Sequence, residues 1–138
     1  MNIEDYIEKG TKKLTSGLES NIYYNFRKLT EKDRRSLVYM LEVESGGLPI
    51  VGIMTMGYEI AKLTENRVFC YNPKENTIKN NYNPNLSSKV VKKSIKKYVI
   101  FDDVITTFGT IRKCVLYIER LPEKIICIKN RMNVVELI

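Results

Sequence analysis

Two adjacent acids and a hydroxyl-rich turn are the residues best suited to chemistry. In Tyr98-Val99-Ile100-Phe101-Asp102-Asp103-Val104-Ile105-Thr106-Thr107-Phe108-Gly109-Thr110-Ile111, an apolar strand runs into the doublet, then a Thr/Gly turn, then a helical pattern. A turn at a helix N-terminus offers free backbone N–H groups, hydroxyl donors and the positive end of the macrodipole. Together these make a cradle for phosphate. Two carboxylates beside a phosphate are poor company unless they address sugar hydroxyls or a magnesium shell. The plain alternative is an acidic strand end followed by a helix cap. For the doublet alone the two readings weigh equally; for the whole segment the phosphate reading prevails.

Other chemistries are excluded by composition. The 138 residues contain no histidine, which removes Ser-His-Asp and Cys-His catalysis and histidine-rich metal sites. Cys70, Cys114 and Cys127 are odd in number, far apart and set in apolar runs, as expected of buried thiols in a reducing cytosol. No stretch approaches the ~20 apolar residues of a membrane span, and the acidic N-terminus does not resemble a signal peptide. A cytoplasmic protein without a membrane partner is expected.

The net charge of +7 is unevenly placed. Residues 1–69 hold 10 basic and 10 acidic side chains, whereas residues 70–138 hold 13 and 6. Lys89, Lys92, Lys93, Lys96 and Lys97 cluster before the apolar strand. A surface of that kind attracts polyanions, either nucleic acid or a phosphorylated small molecule; a lysine-protected strand edge is the alternative.

The elements that must position these groups follow from periodicity and punctuation. A short helix is expected from Asn2 to Gly10, with Ile3, Tyr6 and Ile7 on one face. Residues 20–27 look extended. Thr30-Glu31-Lys32-Asp33 has capping-box spacing and opens a helical turn. Leu37–Val43 reads as a buried strand ending in Glu44-Ser45-Gly46-Gly47, and residues 48–63 carry a helical stripe of Val51, Met54, Tyr58 and Ala61. Strands are expected at 67–71, 98–101 and 124–128, a mobile loop at 72–88 and a helix at 109–119. Alternating strands and helices make this an α/β domain with a parallel sheet. There is no internal repeat and no domain boundary.

The acidic segment closely resembles the 5-phosphoribosyl-1-diphosphate (PRPP) loop of the type I phosphoribosyltransferases. The resemblance implies a parallel sheet flanked by helices, with residues 1–29 as a small N-terminal hood and 30–138 as the PRPP-binding core. It gives Asp102 and Asp103 to the ribose hydroxyls and Thr106, Thr107, Phe108, Gly109 and Thr110 to the 5′-phosphate. Glu44-Ser45-Gly46-Gly47-Leu48-Pro49, between a strand and a helix, looks like the family's pyrophosphate loop. Leu14-Thr15-Ser16-Gly17, followed by Ser20, Tyr23, Tyr24 and Arg27, resembles the N-terminal signature of orotate phosphoribosyltransferases. Ile128-Lys129-Asn130-Arg131 resembles their strand-then-Asp-Arg element. Orotate binding then falls to Arg131, Thr106 and Thr15.

By the same resemblance Lys74 contacts the pyrophosphate, Lys79 is a shifted candidate for the catalytic lysine, and the chain forms a homodimer. Magnesium is held mainly through PRPP and water, with no dedicated protein ligands. Three departures stand out: Phe108 where the family prefers glycine, a loop at 72–79 without histidine, and a short chain. The expected activity joins orotate to PRPP and releases pyrophosphate in pyrimidine nucleotide synthesis. The alternatives are a PRPP-sensing regulator that binds nucleic acid through the lysine cluster, and a transferase acting on another nucleobase.

Overall fold

The computed structural model describes residues 1–13, 19–130, 132 and 134–138, with backbone alone at 9–13 and 19–23. The Asn2 side chain accepts from the Glu4 N–H at 3.0 Å and caps a 3-10 turn over Ile3–Tyr6. The turn stops there and does not run to Gly10. Ile7 onward is strand β1 (Ile7–Lys13), paired antiparallel with β2 (Glu19–Tyr24) in a separate two-stranded sheet. That ladder supplies the backbone partners a longer helix would have supplied internally. Buried Tyr6 and Phe26 tie this hairpin to the rest, with ring centroids 5.9 Å apart.

Helix α1 spans Glu31–Ser45. Thr30 caps it by accepting from the Asp33 N–H at 3.2 Å, as the capping-box spacing predicts. The helix then continues through Leu37–Val43, the run expected to be a strand. Leu37, Leu41 and Ser45 are buried while Tyr39 and Val43 are exposed, which is a helical period and not an alternation. Gly46 closes the helix in the left-handed region at φ 59°, followed by Gly47 at φ 80°. The two glycines are therefore a helix C-cap.

β3 (Ile50–Ile53) follows, buried throughout, where a helical stripe was expected; α2 is confined to Met56–Ala61. A β-branched run between two neighbouring strands is what a central parallel strand requires. β4 (Val68–Asn72) turns back into β5 (Thr77–Asn80), so the segment expected to be loop contains a strand. Ile78 points inward and Lys79 outward, a short alternation diluted by asparagines, and Asn76 takes the left-handed turn conformation at φ 54°. α3 (Ser88–Ser94), β6 (Val99–Ile105), α4 (Gly109–Ile118), β7 (Lys124–Asn130) and β8 (Val135–Glu136) complete the chain.

The main sheet has the order β5-β4-β3-β6-β7-β8, parallel except for β5. One core layer joins Leu37 and Leu41 of α1 and Ile60 of α2 to Ile50, Val99 and Phe101. The other joins Val91 of α3 and Ile111 and Cys114 of α4 to Val51, Ile100 and Cys127. The three cysteines are free thiols. From β3 the chain moves to β4 on one side, and β6 then inserts on the other. A crevice therefore opens at the carboxyl ends of β3 and β6, the place where such sheets bind ligands.

Candidate functional site

Register fixes what meets at that crevice. Gly52 pairs with Cys70 on one side and Phe101 on the other, and Ile53 pairs with Tyr71. One residue further along β6, Asp102 lies level with Ile53, and Asp103 level with Met54. The doublet thus sits at the switch point, half-buried, with the Asp103 N–H donating to Asp102 Oδ1 at 2.8 Å. Burial, then the neighbouring Asp103 charge, pushes the Asp102 carboxyl well above the usual carboxylate range. Burial raises Asp103 as well, opposed by its hydrogen bond with Asp102 and by the positive charge of Arg27. Arg27 comes from the 3-10 turn Phe26–Lys28 that follows the β2 strand.

Thr106, Thr107 and Phe108 lead from β6 into α4. The Gly109 N–H reaches Thr107 Oγ1 at 3.4 Å, and Phe108 is the N-cap, with its carbonyl accepting from the Arg112 N–H at 2.7 Å. The Phe108 ring packs against the second core layer. Its bulk therefore serves as an anchor under the turn. Phe108→Gly is expected to lower stability by ~1–2 kcal/mol from lost apolar burial, measurable by urea denaturation.

Sequence reasoning missed the opposite wall of the crevice. Met54–Gly57 leaves the end of β3 and enters α2; the Met54–Thr55 peptide is cis. A Cβ on Gly57 would stand 2.8 Å from the Phe101 carbonyl oxygen and 3.0 Å from Asp102 Cα. Only glycine lets this loop lie against the acidic strand. The available signal was Ile50-Val51-Gly52-Ile53 as a β-branched strand followed by Thr55-Met56-Gly57.

Glu44, Ser45, Gly46 and Gly47 are not in this crevice. They connect a helix to a strand, not a strand to a helix, and lie at the amino end of β3. With four residues at ~3.3 Å each, that edge is about 13 Å from the doublet. Their groups are already engaged: Ser45 Oγ donates to the Glu42 carbonyl and accepts from Asn66 Nδ2 at 2.8 Å, and Lys124 holds Glu44. The expected pyrophosphate loop is a helix terminus.

The two lysines separate. Lys79 pairs across strands with Cys70, in the middle of edge strand β5. Lys74 lies in the β4–β5 turn, at the same edge as the doublet and two strands, or ~10 Å, to the side. Asn72 Oδ1 accepts from the Lys74 N–H at 3.0 Å, and Lys113 Nζ of α4 donates to the Pro73 carbonyl at 2.6 Å, so the turn is tied to α4. Thr15 and Arg131 lie outside the described residues. Among the described residues no three His, Cys, Asp or Glu side chains converge as a metal site. No helix among them is long and apolar enough to cross a membrane.

No family model and no curated protein matches the sequence. Solved structures do. An orotate phosphoribosyltransferase from Aeropyrum pernix superposes with a TM-score of 0.65 at 20% identity, covering 92% of this chain and 77% of that one. The UMP synthase of Leishmania donovani gives 0.64 at 18% identity, over 92% of this chain but 29% of that one. The Mycobacterium tuberculosis H37Rv orotate phosphoribosyltransferase, in complex with inorganic phosphate, gives 0.60 at 12% identity, over 93% and 78%. Switch-point crevice, acidic doublet and helix-borne turn are thus set in the mixed α/β fold that orotate phosphoribosyltransferases adopt.

Proposed function

We propose that the chain is a phosphoribosyltransferase that joins orotate to PRPP and releases pyrophosphate. The observation that carries the reading is the half-buried Asp102–Asp103 pair at the sheet's switch point, leading into the turn that opens α4. In the reaction the bond from the anomeric carbon to the pyrophosphate oxygen breaks, and a bond to a ring nitrogen of the base forms. Positive charge develops on the ribose and negative charge on the leaving group, so preorganised charge matters more than an acid–base pair.

Asp102 and Asp103 accept from the ribose hydroxyls and stand beside the developing positive charge. Backbone N–H groups in the first turn of α4, with Thr106, Thr107 and Thr110, hold the 5′-phosphate. The Met54–Gly57 loop presents backbone to the pyrophosphate, the role its glycine and position support. Magnesium, when bound, would be held by substrate oxygens and water and would neutralise the diphosphate. Arg131, which follows β7 in sequence, and Thr15 are the proposed partners of the orotate carboxylate. A homodimer belongs to the same reading.

Lys74 is the loop cation at the proper edge, and Lys79 is not. Lys74→Ala is expected to lower turnover about tenfold to a hundredfold, the worth of one charge-assisted hydrogen bond. Lys79→Ala should change it little. Steady-state rates of the two variants distinguish these roles. The function itself is tested by a screen of orotate, uracil and purine bases with PRPP and magnesium, products being identified by mass. Orotidine 5′-monophosphate is expected; a purine nucleotide, or no nucleotide at all, would overturn the reading.

A further inference from the structure

The strongest charge asymmetry in the molecule lies away from the crevice. From Asn76 to Phe101 the chain has six lysines, five asparagines and not one acid. Lys89 and Lys93 lie on α3, one turn or ~6 Å apart, and Lys96 and Lys97 follow it directly before β6. All four are exposed, and none pairs with a carboxylate among the described residues. Lys92 is the exception, held by Glu119 at 3.2 Å.

The topology extends this row. Lys96 and Lys97 precede β6, Arg67 precedes β4, and Tyr82 follows antiparallel β5, so all lie at the amino edge of the parallel strands. Arg67 is exposed and makes no ion pair among the described residues. Tyr82 is 66% exposed, its hydroxyl reaching the Asn66 carbonyl at 3.3 Å and leaving most of the ring open. Exposed Asn81, Asn83 and Asn85 surround it in sequence. The acids of this edge are Glu42, Glu44, Glu65, Glu119 and Glu123. Glu44 is engaged by Lys124, Glu119 by Lys92, and Glu42 accepts from the Glu65 N–H, while Asp102 and Asp103 are at the other end of the strands.

We infer that this edge is a binding surface for single-stranded nucleic acid. Four or five unpaired cations in a row track a phosphate backbone, an open aromatic ring stacks a base, and asparagine amides meet base edges. An anionic membrane is a poorer fit: α3 is two turns long and Val90 is its only large exposed apolar residue. The surface is separate from the transfer site: Lys96, Lys97, Arg67 and Tyr82 lie at the opposite end of the strands, and Lys89 and Lys93 lie on α3, which packs beside edge strand β5, three strands from β6.

The test is fluorescence anisotropy of the full chain with a short labelled single strand of mixed sequence, as RNA and as DNA. A duplex of the same sequence and phosphatidylserine vesicles are run in parallel. With four neutralised phosphates the log–log salt slope is expected near −3, about a fiftyfold loss of affinity between ~50 and ~200 mM salt. Lys89, Lys93, Lys96 and Lys97 changed together to Ala should abolish most binding while leaving the circular dichroism spectrum unchanged. Tyr82→Ala should weaken single strands at least about fivefold without altering the salt slope. Failure to bind single strands at low salt, undiminished binding by the lysine variant, vesicle binding in place of strand binding, or equal affinity for duplex with a silent Tyr82→Ala would each overturn the inference.

Discussion

Gly57→Ala is expected to cost both stability and activity. The added methyl group would lie 2.8 Å from the Phe101 carbonyl oxygen and 3.0 Å from Asp102 Cα, both backbone positions in the central strand. Neither can turn aside as the end of a flexible side chain would. The loop must move away from β6, and overpacking of this kind costs ~1–3 kcal/mol. Because the same movement opens the crevice, turnover should fall beyond what the stability loss explains, at least about a hundredfold if one transition-state contact is displaced. Chemical denaturation and rates measured well below the unfolding midpoint separate the two losses. A variant with wild-type stability and rate would remove the Met54–Gly57 loop from the site.

Asp103→Asn is expected to move function and stability in opposite directions. An Asn keeps the shape and loses the charge, so hydrogen bonds from ribose hydroxyls fall from the charge-assisted class. About tenfold to a hundredfold of turnover should go. Stability should rise. Both carboxyls of the doublet lie above their ordinary value of 3.8 in the folded chain, chiefly through burial. The folded state therefore holds protons that the unfolded state has released, and stability declines as pH climbs from about 4 through the folded-state values. Asp103→Asn removes that residue's share of the decline and leaves the share of Asp102. Near pH 7 the variant's melting temperature should exceed that of the wild type. The difference should vanish below pH ~4, where the unfolded chain is protonated as well. Asp102→Asn should gain at least as much, since Asp102 is the more strongly raised.

The acidic segment was legible in the sequence because all its parts are contiguous: strand, doublet, turn and helix follow one another within Tyr98–Ile111. The opposite wall was not, and a single misreading explains why. Leu37–Val43 is apolar and partly β-branched, and a short run of that kind fits strand and helix equally well. Its punctuation decided the matter: Thr30 is a start signal and Gly46-Gly47 a stop signal, and together they frame one helix. Reading a strand there turned the glycines into a strand-end loop and pushed the expected pyrophosphate contact to the wrong edge. It also hid β3, whose four residues are too few for any period to show. β5 escaped notice for a different reason. Asn80 and Asn81 disguise its alternation, and pairing with β4, a tertiary contact, makes it a strand. The split between Lys74 and Lys79 could be seen only once that hairpin was in place.

The central claim is that the doublet and the turn opening α4 form a PRPP site. Calorimetric titration of PRPP in the presence of magnesium, with the wild type and Asp103→Asn compared under identical conditions, tests it most directly. The account predicts saturable binding by the wild type and loss of most of that affinity in the variant, although the variant melts at a higher temperature. Unchanged PRPP affinity in Asp103→Asn, or no binding by the folded wild type, would contradict it.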